Sequence, residues 1–99
     1  MVNYLQFEWD PNKAESNIRK HGITFIEPES VFSDKCSHVI PGPDSSYGEE
    51  RFIIMGLSEK HNTLVVCHYY RGDDERIRII SARKVEKRER KQYEEFRYA

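Results

Sequence analysis

The segment Arg76-Ile77-Arg78-Ile79-Ile80-Ser81-Ala82-Arg83-Lys84 carries the residue types best suited to gripping a phosphate. A guanidinium stays charged, and its planar fork matches two phosphate oxygens at once. Arg and Ile alternate with the period of a half-buried strand, so Ile77 and Ile79 are expected on a core and Arg76 and Arg78 on the opposite face. Arg83 is out of step. In a regular strand it lies with Ile77, whereas a bulge at Ile79-Ile80 brings Arg76, Arg78 and Arg83 onto one side. The bland alternative is that these arginines make surface ion pairs with Asp73, Asp74 or Glu75.

The strand runs into a basic stretch. From Arg83 to Lys91 there are six basic residues against two acidic ones, in a chain whose formal net charge is −1. Residues 1–50 hold four Lys and Arg against nine Asp and Glu, and residues 51–99 hold twelve against eight. The near-neutral total therefore hides a dipole, and the basic half suits a polyanion. Lys84, Lys87, Arg88 and Lys91 are the candidate nucleic-acid contacts. Lys87 with Lys91 and Lys84 with Arg88 are like-charge pairs at i, i+4, an arrangement that a merely solvated helix does not call for. Glu86 with Arg90 offsets part of it, so an ordinary charged face is the competing reading.

Ninety-nine residues suffice for one domain with a single modest core. No apolar run approaches the roughly 20 residues that span a bilayer, and Met1 to Leu5 lacks the features of a signal peptide, so no membrane role is expected and the cytoplasm is the expected location. Cys36 and Cys67 form no disulfide framework. Cys36, His38, Cys67 and His68 match no standard zinc spacing, so no metal and no cofactor is expected.

The elements that must position these groups are legible in outline. Tyr4 to Trp9 reads as a short strand. Asp10-Pro11 opens a helix of about three turns that His21-Gly22 closes, with Ala14, Ile18 and His21 on its apolar side. Thr24 and Glu27 have the spacing of a capping box for a second helix carrying Phe25, Val31 and Phe32, with Pro28 near its start. Lys35 to Pro41 forms a strand, and residues 41–48 have loop chemistry. Strands Glu50 to Leu57, Thr63 to Arg71 and Glu75 to Ala82 follow as an antiparallel meander, and Lys84 to Tyr98 closes the chain as a helix.

Phe7-Glu8-Trp9-Asp10, Asn17 with Lys20-His21-Gly22, Phe25, Phe32 with Asp34, Glu50-Arg51, Gly56, and Arg76 to Arg83 with Glu89 and Tyr93 together resemble the BrnT toxins. These motifs run in order from about residue 5 to 96. The resemblance implies a compact α+β, RelE-like fold, β-α-α followed by an antiparallel meander and a C-terminal helix, over residues 1–99 as one toxin domain. It implies the toxin of a type II toxin–antitoxin system, an endoribonuclease that cleaves RNA without a metal and inhibits translation. It further implies neutralisation by a BrnA-like antitoxin with a ribbon-helix-helix DNA-binding part, through which alone promoter DNA is met. Pro28 departs from the family pattern and bears on the second helix.

Such cleavage needs an activated 2′-oxygen, stabilisation of a pentacoordinate phosphorane and a proton for the departing 5′-oxygen. The cations Arg76, Arg78 and Arg83 suit the second task. For the base, His21 is the first choice, because imidazole as a side-chain type changes charge near neutrality, although a histidine in a last helical turn often serves only the dipole. Glu50 is the alternative. For the acid, Lys84 and Tyr93 are candidates, with cations expected to lower the Tyr93 pKa, and core anchoring is the rival role for that tyrosine. Tyr69 and Tyr70 beside His68 could stack on bases or pack. Two rival functions are a non-catalytic RNA- or ribosome-binding translation inhibitor and a protein-interaction module.

Overall fold

The computed structural model describes residues 5–42, 50–72 and 76–98. The segment expected to be a loop therefore lies largely outside the described residues, as do Asp73, Asp74 and Glu75. Among the described residues, five strands form one sheet: β1 (Gln6–Glu8), β2 (His38–Pro41), β3 (Arg51–Leu57), β4 (Thr63–Arg71) and β5 (Arg76–Lys84). Their spatial order is β1-β5-β4-β3-β2. Strands β2 to β5 pair antiparallel, and β1 adds to β5 in parallel. Two α-helices, α1 (Pro11–His21) and α2 (Lys87–Arg97), and a 3-10 helix at Glu27–Ser33 complete the mixed α+β fold.

Helix α1 begins and ends where its capping chemistry places it. Asp10 accepts a hydrogen bond from Asn12 N–H, Pro11 fills the first turn, and Gly22 takes a left-handed φ of 70° while its N–H bonds Ile18. The buried stripe differs from expectation. Ile18 is about half exposed and His21 is exposed, whereas Asn17 is only 4% exposed. The reason is the sheet edge beside it. Strand β1 covers β5 only from Arg76 to Arg78, and further along Asn17 takes over: its amide donates to Ala82 O (2.8 Å) and Ile23 O (3.0 Å) and accepts from Ala82 N–H (3.1 Å). One side chain thus satisfies buried backbone groups that a neighbouring strand would otherwise serve.

The second helix is not α-helical and starts late. Thr24 Oγ1 does accept from Glu27 N–H, at 3.3 Å, but Glu27 does not return to complete the box. Its carboxylate, buried, accepts instead from Ser58 Oγ (2.6 Å) and Asn62 Nδ2 (2.9 Å) in the β3–β4 turn. With Pro28 withholding a donor in the first turn, the segment winds as a 3-10 helix. Val31 and Phe25 still reach the core.

The main core lies on one face of the sheet, where Ile54, Leu64, Val66, Ile77, Ile79 and Ala82 meet residues from the α1 and 3-10 region. A smaller cluster on the other face joins Met55 and Val65 to Tyr93 of α2. Strand β5 extends through Lys84, beyond the expected end at Ala82, because Lys84 and Arg83 pair with Leu64 and Val65. Helix α2 accordingly starts only after Glu86, whose side chain and that of Glu89 form a reciprocal capping box.

Asn17→Ala leaves the Ala82 N–H and C=O buried without partners, so it should lower the unfolding free energy by about 2–4 kcal/mol. Denaturant titration checks this, and a loss under about 0.5 kcal/mol would mean that the edge is not held by this amide.

Candidate nucleic-acid interface and active site

Strand β5 contains the irregularity on which the site depends. Cys67 pairs with Ser81 and the next residue, His68, pairs with Ile79, so Ile80 is the extra residue of a bulge. Ile77, Ile79 and Ala82 are all buried on the main core. Arg76, Arg78, Ser81 and Arg83 consequently share the other face. The position foreseen for the bulge and its consequence for Arg83 both agree with the pairing.

Register fills in the rest of that face. Tyr69 lies between Arg51 of β3 and Arg78 of β5, Arg71 lies opposite Arg76, and Cys67 lies between Ile53 and Ser81. Five arginines, at 51, 71, 76, 78 and 83, therefore belong to one side of the sheet. Glu8 of β1 receives both Arg71 and Arg78 on a single carboxylate oxygen, each at 2.9 Å. Arg83 grips Glu89 of α2 through two parallel bonds of 2.7 and 2.8 Å. The bonds to Glu89, with coulombic attraction to Glu89 and Glu86, outweigh desolvation and hold the Arg83 pKa above its ordinary value, and the same bonds, with the Glu86 N–H and the charge of Arg83, hold the Glu89 pKa below. Arg76 and Arg51 make no ion pair among the described residues, and the Arg51 Nε is buried without a hydrogen-bond partner. The expected pairing of the arginines with Asp73 to Glu75 falls outside the described residues.

The other candidates are dispersed. His21 is exposed on the last turn of α1, and Glu50 is exposed just before β3. No hydrogen bond or ion pair among the described residues joins either to the arginines. Lys84 closes β5 one residue out of step with Arg83, hence on the opposite face. Lys87, Arg88 and Lys91 are exposed and, with Arg90 and Glu94, border a shallow hollow on α2. Tyr69 belongs to the arginine face, whereas Tyr70 and His68 belong to the core face. His68 is fully buried among Phe32, Phe52 and Tyr70, and burial pushes its pKa down.

Tyr93 is a buried anchor, and its pKa moves opposite to the expected direction. Burial, followed by its hydrogen bond to Asp34 (2.5 Å), pushes the phenol up to about 12. Arg97 of α2 donates to the same hydroxyl at 3.4 Å and acts to lower the pKa, as cations were expected to, but burial and Asp34 outweigh it. Asp34 in turn accepts from Leu57 N–H (2.8 Å) and Cys36 N–H (3.0 Å). Burial raises the Asp34 pKa, but these backbone bonds, the Tyr93 hydroxyl and nearby Arg97 outweigh it and leave the group below its usual value. Gly56 permits the approach, since a Cβ there would sit 3.0 Å from Val31 Cγ1 and 3.1 Å from Asp34 Oδ2. Arg51 and Asp34 escaped functional reading of the sequence. The only available signal was strand alternation, which sets Arg51 in phase with Ile53 and Met55.

Among the described residues, no group of three or more His, Cys, Asp or Glu is placed to hold a metal ion, and no helix is long and apolar enough to cross a membrane.

Comparison with known proteins bears on what the chain is. A family model described as the ribonuclease toxin BrnT of type II toxin–antitoxin systems matches residues 9–89. The crystal structure of the Brucella abortus ribonuclease toxin BrnT is similar in fold, with a TM-score of 0.61 and 24% identity over 84% of this chain and 99% of that one. No curated protein matches.

The Tyr93–Asp34 bond predicts a pH signature. A phenol whose native pKa is raised from 10 to about 12 stabilises the fold fully below pH 10, and that contribution is lost as pH rises through about 12. Stability of the unmodified chain should fall more steeply from pH 10 to 12 than that of Tyr93→Phe. Parallel unfolding curves over that interval would contradict the assignment.

Proposed function

This chain belongs to the BrnT family of ribonuclease toxins of type II toxin–antitoxin systems, and from that premise we propose that residues 1–99 act as one RelE-like toxin domain that cleaves RNA on the arginine face of its sheet. The observation that carries this reading is the bulge at Ile80, which gives Arg76, Arg78 and Arg83 a common side.

In the proposed reaction the 2′-oxygen of a ribose, its proton removed by the base, attacks the adjacent phosphorus and the bond to the 5′-oxygen breaks, leaving a 2′,3′-cyclic phosphate and a 5′-oxygen that takes a proton from solvent to become a hydroxyl. Arg76, Arg78 and Arg83, joined by Arg51, balance the charge that builds on the phosphorane oxygens, a task that otherwise falls to a metal ion. Tyr69 supplies an aromatic surface beside them for a base. The exposed cations Lys87, Arg88 and Lys91 follow the flanking backbone, with Lys84 at the margin. For proton transfer the reading keeps His21 as base and Glu50 as its alternative. Tyr93, whose hydroxyl is committed to Asp34, positions α2 instead of donating a proton.

Cleavage of RNA in the cytoplasm would inhibit translation. A BrnA-like antitoxin would neutralise the toxin, and its ribbon-helix-helix part would bring the pair to promoter DNA, which this chain meets only through that partner. No cofactor and no membrane enters this reading. One observation favours a second reading, a non-catalytic RNA- or ribosome-binding inhibitor: neither His21 nor Glu50 is hydrogen-bonded to the arginine cluster among the described residues.

Purified toxin incubated with RNA in EDTA separates the two. New ends bearing a 2′,3′-cyclic phosphate are expected. Intact RNA with shifted mobility favours the binder, and cleavage restored only by a divalent ion overturns metal independence. Arg78→Ala should lower kcat/KM by about 10²- to 10³-fold with little change in melting temperature, since its partly exposed pair with Glu8 contributes about 0–1 kcal/mol. Undiminished cleavage and growth arrest by this variant would remove Arg78 from the site.

A further inference from the structure

Helix α2 has two unlike sides. One carries the cations Lys87, Arg88, Arg90 and Lys91. The other faces a groove of about 460 Å³ between α2 and the β2–β3 side of the sheet. The groove floor is Ile53, Met55 and Val65, and its walls are Ile40 and Phe96, which remain 43% and 50% exposed. His38 packs against Phe96 with ring centroids 4.5 Å apart and the planes tilted by 56°. The described lining contains no Lys or Arg, and the rim bears Glu89 and Glu95.

We propose that this groove is the docking site of the antitoxin, taken as an amphipathic helix whose apolar side chains seat between Ile40 and Phe96 and whose basic flank meets Glu89 and Glu95. The proposal rests on the toxin–antitoxin reading but not on the catalytic one. Charge decides between the two macromolecules that such a toxin must meet. An acidic-rimmed apolar channel repels RNA, which is drawn to the arginine face and the basic side of α2, and it complements a protein segment with Lys or Arg beside apolar anchors. The mode follows from β2. Gly42 N–H bonds Arg51 O across the β2–β3 pair, so by alternation Val39 and Pro41 turn their backbone outward. Proline has no donor, leaving one outward N–H, too few for an added strand. Helix-in-groove binding is the alternative, and α2, 11 residues long, offers a wall of about 16 Å for anchors spaced i, i+4, i+7.

The groove adjoins the proposed active face. Glu89 both lines it and holds Arg83. A helix seated there stands beside Arg83 and obstructs RNA without copying a phosphate.

Ile40→Glu and Phe96→Glu test this in the toxin co-purified with its antitoxin. Both are expected to weaken antitoxin affinity by about 30-fold or more and to abolish rescue of growth, while RNA cleavage by the free toxin and its melting temperature change little. Unaltered antitoxin affinity in both variants overturns the proposal. So does sedimentation of the toxin alone as a dimer that the substitutions break, because a second copy would then own the groove. Should either variant fail to fold, a photo-crosslinking residue at position 96 replaces it: crosslinks to the antitoxin are expected, and crosslinks confined to the toxin itself count against. A toxin inert toward RNA would defeat the catalytic reading and leave the affinity measurement valid.

Discussion

One extra residue in β5 sets the chemistry of the whole sheet. Without Ile80 opposite no partner, Arg83 would alternate onto the core face and Ala82 onto the open one, burying a guanidinium where a methyl group now sits. A bulge alone is deformable, because it removes ladder hydrogen bonds where the strand bends. Asn17 supplies what the ladder loses. Two residues past Ile80 it grips both the N–H and the C=O of Ala82 and ties the same point to Ile23 after α1. The helix thereby serves as the edge partner of β5 where β1 has ended. The re-phasing of the arginines and the docking of α1 are thus one constraint.

Local chemistry carried much of this into the sequence. The Ile79-Ile80 doublet exposed the bulge because two adjacent apolar residues break a period of two, and Asp10-Pro11 with Gly22 fixed α1. What escaped was decided by distant partners. Thr24 and Glu27 have the spacing of a capping box, but Glu27 is claimed by Ser58 and Asn62, 31 and 35 residues away. Asn17 reads as an ordinary polar helical residue until the strand 65 positions later arrives beside it. Tyr93 looked like a phenol among cations because helical spacing does not reveal that it points inward at Asp34. Arg51 was invisible as a site residue because only register sets it beside Tyr69 and Arg78.

Asp34 explains how a helix with so few apolar residues stays attached. Tyr93 is the sole buried residue of α2. Its hydroxyl meets a carboxylate already held by two backbone donors, so the contact adds a charge-assisted bond to the apolar cluster with Met55 and Val65. This one buried anchor, with the Arg83–Glu89 pair beside it, fixes position and leaves the rest of the helix surface free to differ from side to side. Lys87, Arg88, Arg90 and Lys91 share one flank with Glu94, while Glu89, Gln92, Glu95 and Phe96 line the other.

The arginine face must also survive while empty. Register sets Arg71 directly opposite Arg76, and like charges across a strand pair repel. Glu8 relieves this by accepting from Arg71 and Arg78 on one oxygen, and Glu89 does the same for Arg83. These pairs are partly exposed, with side chains between 26% and 48% accessible, so water screens them and each is worth about 0–1 kcal/mol. On the proposed reading, an incoming phosphate exchanges one anion for another at little cost, and finds guanidinium forks already aimed at an oxygen. Among the described residues, two carboxylates face five guanidiniums, which leaves an excess of positive charge there, and Arg51 and Arg76 have no carboxylate partner among them. The built-in anions hold the cluster together without neutralising it, which is the balance that a site for a polyanion requires.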